Sequence, residues 1–124
     1  TCLLIYNQMI VGIAEEERAD RLFGALANST RRDIVRRTLK DDYSVSQLAR
    51  CYTTSFAAIQ KHVSVLEATG LVTKRASGRE QIVTGDVDTI EAVHALLDQF
   101  ASISRERMGR FDSVLKQTDQ GVEA

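Results

Sequence analysis

The stretch TTSFAAIQKHVSVLEATGLV, residues 53–72, has the pattern of one amphipathic helix that ends at a glycine. Its apolar residues recur with the 3.6-residue period of an α-helix and predict a buried side formed by Ile59, Val63 and Leu66. Thr54 or Ser55 can cap the start of the helix, and Gly70 is typical of the left-handed residue that follows a helix end. We therefore predict a helix over residues 55–69.

The other side of this helix carries small and polar residues, and it can be a solvated surface or a surface that reads a ligand. On a helical wheel one outward face is formed by Ala57, Gln60, Lys61 and Ser64. Gln60 can offer a hydrogen-bond donor and acceptor together, as adenine recognition needs, and Lys61 can reach a phosphate or a guanine edge. Phe56 and His62 lie on the two borders of this face. Because no Cys, Asp or second His lies at ligand spacing on the helix, we predict that His62 hydrogen-bonds locally rather than binding a metal.

The segments on either side of the quoted helix complete an order of elements typical of one fold. The capping-box pattern SVSQ opens a short helix over 45–51, and three residues connect it to the quoted helix. After the quoted helix, strand-like runs at 72–75 and 79–83 flank a turn at 76–78. Basic residues cluster around this turn: Lys74, Arg75 and Arg79. A short helix, a turn, a longer helix and a β-hairpin predict a winged helix-turn-helix, whose wing lies along the DNA backbone or enters the minor groove.

The rest of the chain is predicted to be helical, which makes the protein mainly α with one small hairpin. We expect a first helix over 15–27, a second helix over 30–40 that Asn28 or Ser29 caps, and then a turn at 41–43. The residues expected to face inward in the helices before the quoted one are Leu22, Phe23, Leu26, Ala27, Ile34, Val35, Leu39, Val45, Leu48 and Ala49.

A long helix is predicted from about residue 87 to residue 117. Its apolar stripe consists of Ile90, Val93, Leu97, Phe100, Ile103, Phe111 and Leu115. A domain this small cannot cover so long a stripe, so we expect a second copy of the chain to cover it. The predicted organisation is an apolar arm (1–14), a DNA-binding domain (15–84), a dimerisation helix (85–117) and a tail (118–124).

The composition restricts the class of protein. With 124 residues, no proline and no tryptophan, the chain has the size of one mostly helical domain. Residues 31–80 contain ten Lys and Arg against five Asp and Glu, and the flanks hold the other six bases and twelve acids. A basic middle between acidic ends favours a polyanion-binding module that self-associates, although solvated helices share this pattern. Since no Gly-rich phosphate loop, Ser-His-Asp order or carboxylate pair is visible, we expect neither an enzyme nor a cofactor.

The first 14 residues carry no charge. They are too short and too polar at residues 6–8 for a transmembrane span, and they lack the basic region of a secretory signal. We hypothesise that Met9 is the natural start and that residues 1–8 are not native; an apolar arm that packs on a partner subunit is the alternative. Cys2 and Cys51 form no CxxC pair, which excludes a disulfide framework and favours a reducing, cytoplasmic setting without membrane contact.

Residues 22–83 resemble the ArsR-type family of bacterial winged-helix repressors. LFGALANSTRRDIVRRTL is similar to the family's opening, and VSQLARCYTTSFAAIQKHVSVLEATGLVTKRASGREQIV to its helix-turn-helix and wing, without a gap. The resemblance implies a homodimer built by the first and last helices. It also implies a palindromic operator, two recognition helices about 10 base pairs apart, and repression of transcription that a signal relieves. The DNA contacts that it implies fall on Ser55, Phe56, Ala57, Gln60, Lys61 and Ser64, and near Arg75 and Arg79, beside the basic Lys74.

Three possible sensor sites have to be considered beside the resemblance. Metal-sensing members carry a Cys-x-Cys motif in the helix before the turn, where this chain has only Cys51, so metal sensing of that type is not expected. Glu91, His94 and Asp98 share one face of the last helix and could bind zinc or nickel, but we expect a surface histidine between acids and no metal. Cys51 could sense an oxidant, although we expect a buried free cysteine. A winged-helix protein-interaction module and a metal- or redox-responsive sensor are the alternative functions. The sequence discloses neither the operator nor an inducer.

Overall fold

The computed structural model describes residues 2–123, apart from the side chains of residue 11 and of residues 118–123. The elements in chain order are α1 (Cys2–Leu26), α2 (Ser29–Lys40), β1 (Tyr43–Ser44), α3 (Val45–Arg50), α4 (Phe56–Thr69), β2 (Val72–Ser77), β3 (Glu80–Gly85) and α5 (Val87–Glu123). The chain divides into two compact units after Val93. Within the first unit, α3, the turn, α4 and the β2–β3 hairpin confirm the predicted winged helix-turn-helix.

Side-chain caps fix the two helices of the helix-turn-helix. Ser44 Oγ accepts from the Gln47 backbone N–H at 3.0 Å, and Gln47 Oε1 accepts from the Ser44 backbone N–H at 2.9 Å, which is the predicted capping box. Ser55 Oγ accepts from the Ala58 N–H at 3.2 Å and caps α4. Gly70 ends α4 with φ of 82°, a left-handed conformation in which an L side chain would be strained.

The core of the first unit lies behind α4. Ile59, Val63 and Leu66 are buried, as their spacing predicts, and Leu66 has no exposed surface. They share the core with side chains from the other helices and the wing: Leu22, Ala25, Ile34, Val35, Leu48, Leu71, Val72 and Val83. Since burying each large apolar side chain contributes about 1.5–3 kcal/mol, this shared core fixes the apolar side of α4 inward and its polar side outward.

The wing is a three-stranded antiparallel sheet in the order β1-β3-β2. The predicted turn at 76–78 begins two residues too early and ends one residue too early, because Ala76 and Ser77 pair with Gln81 and Glu80 and leave a two-residue loop, Gly78-Arg79. Gly78 has φ of 62°, which suits the first central position of a two-residue hairpin turn. Tyr43, predicted in a turn, belongs to the short strand β1 and pairs with Val83.

Three helical predictions also need correction, and one of them is Ala27, which was predicted to face inward but is exposed just after the end of α1. Helix α1 begins at Cys2 rather than near residue 15, since the uncharged stretch contains no proline and the cost of its single glycine, Gly12, is only about 1 kcal/mol. Leu39, predicted to face inward, is 38% exposed and covers Gly85, while Thr38 is buried. The Thr38 hydroxyl donates to the Ile34 carbonyl at 2.8 Å, so this polar group is buried with a hydrogen-bond partner.

Apolar side chains are exposed in two helical segments. In the first half of α1 they are Leu3, Leu4, Ile5, Tyr6, Met9, Ile10 and Ile13. In α5 they include Leu97, Phe100, Ile103, Met108, Phe111, Val114 and Leu115. None of the helices in the described part of the chain combines the length and hydropathy that a bilayer crossing requires.

Candidate nucleic-acid interface

Helix α4 presents the predicted reading face to solvent. Ala57, Gln60, Lys61 and Ser64 are all exposed. Phe56, on the border of this face, is also exposed, while Ile59 is completely buried on the opposite side. Ser55 stands at the N-cap, where its hydroxyl already accepts the Ala58 N–H. The polar face is therefore held outward by the burial of the apolar one.

A cleft of about 440 Å³ separates α4 from the wing, and we call it the helix–wing cleft. It is lined by Val45, Ser46, Phe56, Gln60, Val63, Ser64, Lys74, Arg79, Glu80 and Gln81. Five of the predicted contact residues thus meet in one place: Phe56, Gln60, Ser64, Lys74 and Arg79. Ser46, Glu80 and Gln81 line the same cleft without having been predicted. The proximity of Glu80 and Gln81 to α4 depends on the strand register, and that of Ser46 depends on the packing of α3 against α4. Ser55, Ala57 and Lys61 lie on α4 outside the lining, and Arg75 is on the wing outside it.

The basic residues of the wing differ in their surroundings. The Lys74 ammonium lies 3.8 Å from Glu67 of α4. Arg75 pairs with Asp42 at 3.3 Å, before strand β1. Arg79 occupies the hairpin loop itself and is exposed. Of the three predicted wing contacts, Arg75 is therefore held away from the helix–wing cleft, whereas Lys74 and Arg79 border it.

A polar cluster connects α2 to the turn before α4. The Tyr52 hydroxyl donates to Asp33 Oδ2 at 2.6 Å, Arg37 Nε donates to the same oxygen at 2.8 Å, and the Arg37 guanidinium lies 5.7 Å from the Tyr52 ring centre. The Tyr52 hydrogen bond, followed by that of Arg37, lowers the pKa of Asp33 below its ordinary value. Burial and the Asp33 contact raise the pKa of Tyr52. Sequence reasoning missed this cluster, because Asp33 and Tyr52 are 19 residues apart and belong to no short motif.

His62 lies half-buried at the border of the reading face, as predicted, but its partner is not local. Its Nδ1 lies 3.4 Å from Arg31 Nη1 on α2, an arrangement in which the guanidinium donates to a neutral ring. Arg31 also donates to the carbonyl oxygens of Ala25 at 2.6 Å and Gly24 at 3.1 Å. Burial, followed by the Arg31 charge, lowers the pKa of His62. His62 therefore connects α4 to α2 and the end of α1.

The sensor candidates have different surroundings. Cys51 is exposed at the C-cap of α3, so the expectation of a buried cysteine is wrong; α3 ends one residue earlier than predicted, and the thiol lies 3.3 Å from the Gln47 carbonyl oxygen. On α5, Asp98 accepts a hydrogen bond from Arg105 at 3.1 Å. Across the part of the chain that the structure describes, no three His, Cys, Asp or Glu side chains are grouped closely enough to hold a metal ion, and this includes Glu91, His94 and Asp98.

Comparison with known proteins places this geometry among regulators of transcription. The chain is 36% identical over 81 residues to the HTH-type transcriptional regulator Rv2034 of Mycobacterium tuberculosis, a match that spans 65% of this chain and 76% of that protein. It is also similar to the structure of an ArsR-like transcriptional regulator from Rhodococcus sp. RHA1, with a TM-score of 0.68, 26% identity, and coverage of 80% of this chain and 93% of that one. No family model matches the sequence.

The fold is shared with a more distant structure, the homodimeric winged helix-turn-helix DNA-binding domain of a possible ArsR-family regulator from Mycobacterium bovis. The TM-score is 0.60 at 22% identity, and the match covers 73% of this chain and 83% of that one.

Proposed function

The chain belongs to the ArsR family of winged helix-turn-helix transcriptional regulators, and on that basis we propose that it is a homodimeric repressor whose α4 reads a palindromic operator. It is a DNA-binding regulator and not an enzyme. The observation that carries the proposal is the helix–wing cleft, where an outward polar helix face and a basic hairpin border the same space. We expect the protein to act in the cytoplasm, where the DNA of a bacterial cell lies, since the relatives named above are bacterial.

The roles of the contact residues follow from their chemistry. We assign base reading to Gln60, whose amide can bond bidentately to adenine in the major groove. Lys61 and Arg79 are assigned to phosphates, because both are exposed cations, one on α4 and one in the hairpin loop. Ala57 and Ser64 keep the helix surface low enough for close approach to the bases. No ligand other than DNA is needed for this reading.

The exposed apolar segments support the homodimer. Side chains such as Phe100 and Phe111, at 67% and 58% exposure, are large apolar groups that a second copy of α5 would cover. The Mycobacterium bovis domain, which shares this fold, is itself homodimeric. A dimer with two-fold symmetry would present two α4 helices to successive major grooves, which requires a palindromic site with half-sites about 10 base pairs apart.

The test begins by selecting bound fragments from genomic DNA to obtain the operator. Fluorescence anisotropy then compares the operator with a scrambled duplex over a range of salt concentrations. Gln60→Ala should relax the preference at one base pair, while Arg79→Ala should weaken binding to both duplexes and lower the salt slope by about 1. Gln99→Ala, an exposed glutamine on α5, is the matched control and should bind as wild type.

Repression itself is tested by transcription in vitro from a promoter that contains the selected operator. The wild-type protein should lower transcript yield, and Gln60→Ala should do so less. A protein that binds other proteins rather than DNA would show no steep loss of affinity for the DNA duplexes as the salt concentration rises. That result would refute the proposal.

A further inference from the structure

The strand register gives the wing two unlike faces. Residues paired across an antiparallel sheet point to the same face, and this face alternates along each strand. Val83 is buried toward the core and pairs with Lys74, so this face of the hairpin is the inner one. Gln81 pairs with Ala76 two positions along and therefore lies on the same inner face, where it lines the helix–wing cleft.

The outer face carries Arg75, which pairs with Ile82. Its guanidinium donates to Asp42 at 3.3 Å, and the Thr84 hydroxyl donates to the other oxygen of the same carboxylate at 2.8 Å. Asp42 thus connects both long strands of the wing to the segment before β1. Arg75 serves as an anchor of the wing on the face opposite the helix–wing cleft.

The polar groups around the helix–wing cleft suit a phosphodiester. Ser46 of α3 and Gln81 of β3 add a hydroxyl and an amide to those of Ser64 and Gln60. Each of these groups can donate to a phosphate oxygen, and phosphate contacts position a protein on DNA without reading sequence. Lys74 and Arg79 add two cations against the single carboxylate of Glu80, which leaves the lining with net positive charge.

The geometry of double-stranded DNA indicates which part of the DNA would enter the helix–wing cleft. Neighbouring major and minor grooves are separated by one sugar–phosphate strand. If α4 enters a major groove and the wing follows the adjacent minor groove, that strand has to pass between them. We propose that the helix–wing cleft holds this strand and that Ser46 and Gln81, rather than Arg75, are contacts to its phosphates. The inference rests on the proposed function and adds residues that neither charge nor helix position reveals.

The experiment measures the affinity of Gln81→Ala and Ser46→Ala for the operator and for the scrambled duplex at several salt concentrations. Each change removes a neutral donor, so each should weaken binding to both duplexes alike, by about threefold to tenfold, with the salt slope unchanged. Lys74→Gln removes a cation from the same lining and should lower the slope by about 1. Arg75→Gln should leave the slope as in wild type.

A direct probe of the phosphates uses duplexes in which one phosphate at a time is replaced by a neutral methylphosphonate. Replacement at the phosphate that Gln81 contacts should weaken the wild type and have little further effect on Gln81→Ala. Gln99→Ala is again the matched control, and only variants that melt like the wild type are compared.

The outcomes separate this inference from the proposed function. If Gln81→Ala and Ser46→Ala bind within twofold of wild type while Gln60→Ala still loses its base preference, the phosphate contacts are overturned and the proposed function stands. A loss confined to the operator would also overturn them, because it would show base reading. If the wild-type protein binds no duplex in a salt-dependent way, both proposals fail.

Discussion

Helices α4 and α5 have similar amphipathic patterns but differ in how much of the apolar stripe is buried. The apolar stripe of α4 is buried within the first unit, and Ile59 and Leu66 have no exposed surface. The stripe of α5 is buried only at its start, at Val93, and from Leu97 onward its large apolar side chains are exposed. The same sequence pattern therefore stabilises a fold in one helix and leaves an uncovered surface in the other.

This difference fits the different roles that we propose for the two helices. An apolar stripe that is buried within the chain leaves the opposite face free for a polar ligand, which is the role proposed for α4. Exposure of an apolar stripe to water is unfavourable, and a partner surface that covers the stripe removes this free-energy cost. We propose that α5 is covered in this way. Stability of the folded unit should therefore depend on α4, and self-association on α5.

The largest expected effect is on folding. Leu66→Ala should lower the free energy of unfolding by about 3 kcal/mol, since it removes a completely buried side chain and leaves a cavity. Leu115→Ala on α5 is the matched change at an exposed site, and at dilute protein it should cost less than about 0.5 kcal/mol. Urea unfolding monitored by circular dichroism measures both. Equal losses for the two variants at every protein concentration would contradict the contrast between the helices.

The next effect is on association. Phe111→Glu places a charge in the exposed stripe of α5 and should weaken the proposed homodimer by about 30-fold, the loss expected for an aromatic residue central to an interface. Operator affinity should fall with it, because the two half-sites are then bound independently. Sedimentation equilibrium measures the association, with Ser113→Glu on the opposite side of α5 as the control. If both variants keep the wild-type mass, α5 does not form the dimer.

Sequence patterns predicted those features that depend on neighbours in the chain. The capping box at Ser44 and the glycine after α4 are local signals, and the period of Ile59, Val63 and Leu66 identifies a buried side without knowledge of what covers it. Each of these predictions is confirmed. The predicted start of α1 near residue 15 is wrong, because the helix begins at Cys2.

Features that depend on register or on distant partners were missed. One residue of hairpin register decides that Gln81 faces α4 and Arg75 faces away, and the sequence placed the turn too early. The short strand β1 is defined by its pairing with β3, and a two-residue segment is too short to show the alternating pattern of a strand. The Asp33–Tyr52 hydrogen bond likewise becomes visible only when α2 and the turn are packed together.

The Asp33–Tyr52 hydrogen bond connects α2 to the turn before α4, and its loss should have a smaller effect than the two changes above. Tyr52→Phe should cost about 1 kcal/mol near neutral pH, since the lost partner is a charged but partly exposed carboxylate. The pKa of Asp33 is lowered in the folded state, so its stabilisation is present above its ordinary value of 3.8 and is lost as pH falls. The variant should therefore lose less stability on acidification than the wild type does.

Urea unfolding of Tyr52→Phe and wild type at neutral pH and at about pH 3 tests this prediction. Tyr6→Phe, at an exposed position of α1, is the control. A wild-type acid profile in Tyr52→Phe would mean that the Tyr52 hydrogen bond does not contribute to the pH-dependent stabilisation by Asp33.

The smallest expected effect concerns the contact of α4 with Arg31. Burial, followed by the Arg31 charge, lowers the pKa of His62 in the folded protein, so the unfolded chain binds a proton more readily. The stabilisation by neutral His62 is therefore fully present above the ordinary histidine pKa of about 6.5 and is lost as pH falls through the pKa of the folded state. Because His62 is only half-buried, the loss between pH 7.5 and pH 5.5 should stay below about 1 kcal/mol.

His62→Gln keeps a hydrogen-bond acceptor for Arg31 and removes the titration, so its unfolding free energy should change less over this range than that of the wild type. Gln99→Ala on α5 replaces an exposed residue that does not titrate; it is the control, and its profile should follow the wild type. If His62→Gln instead keeps the wild-type profile, the pH-dependent stability does not come from the contact between His62 of α4 and Arg31 of α2.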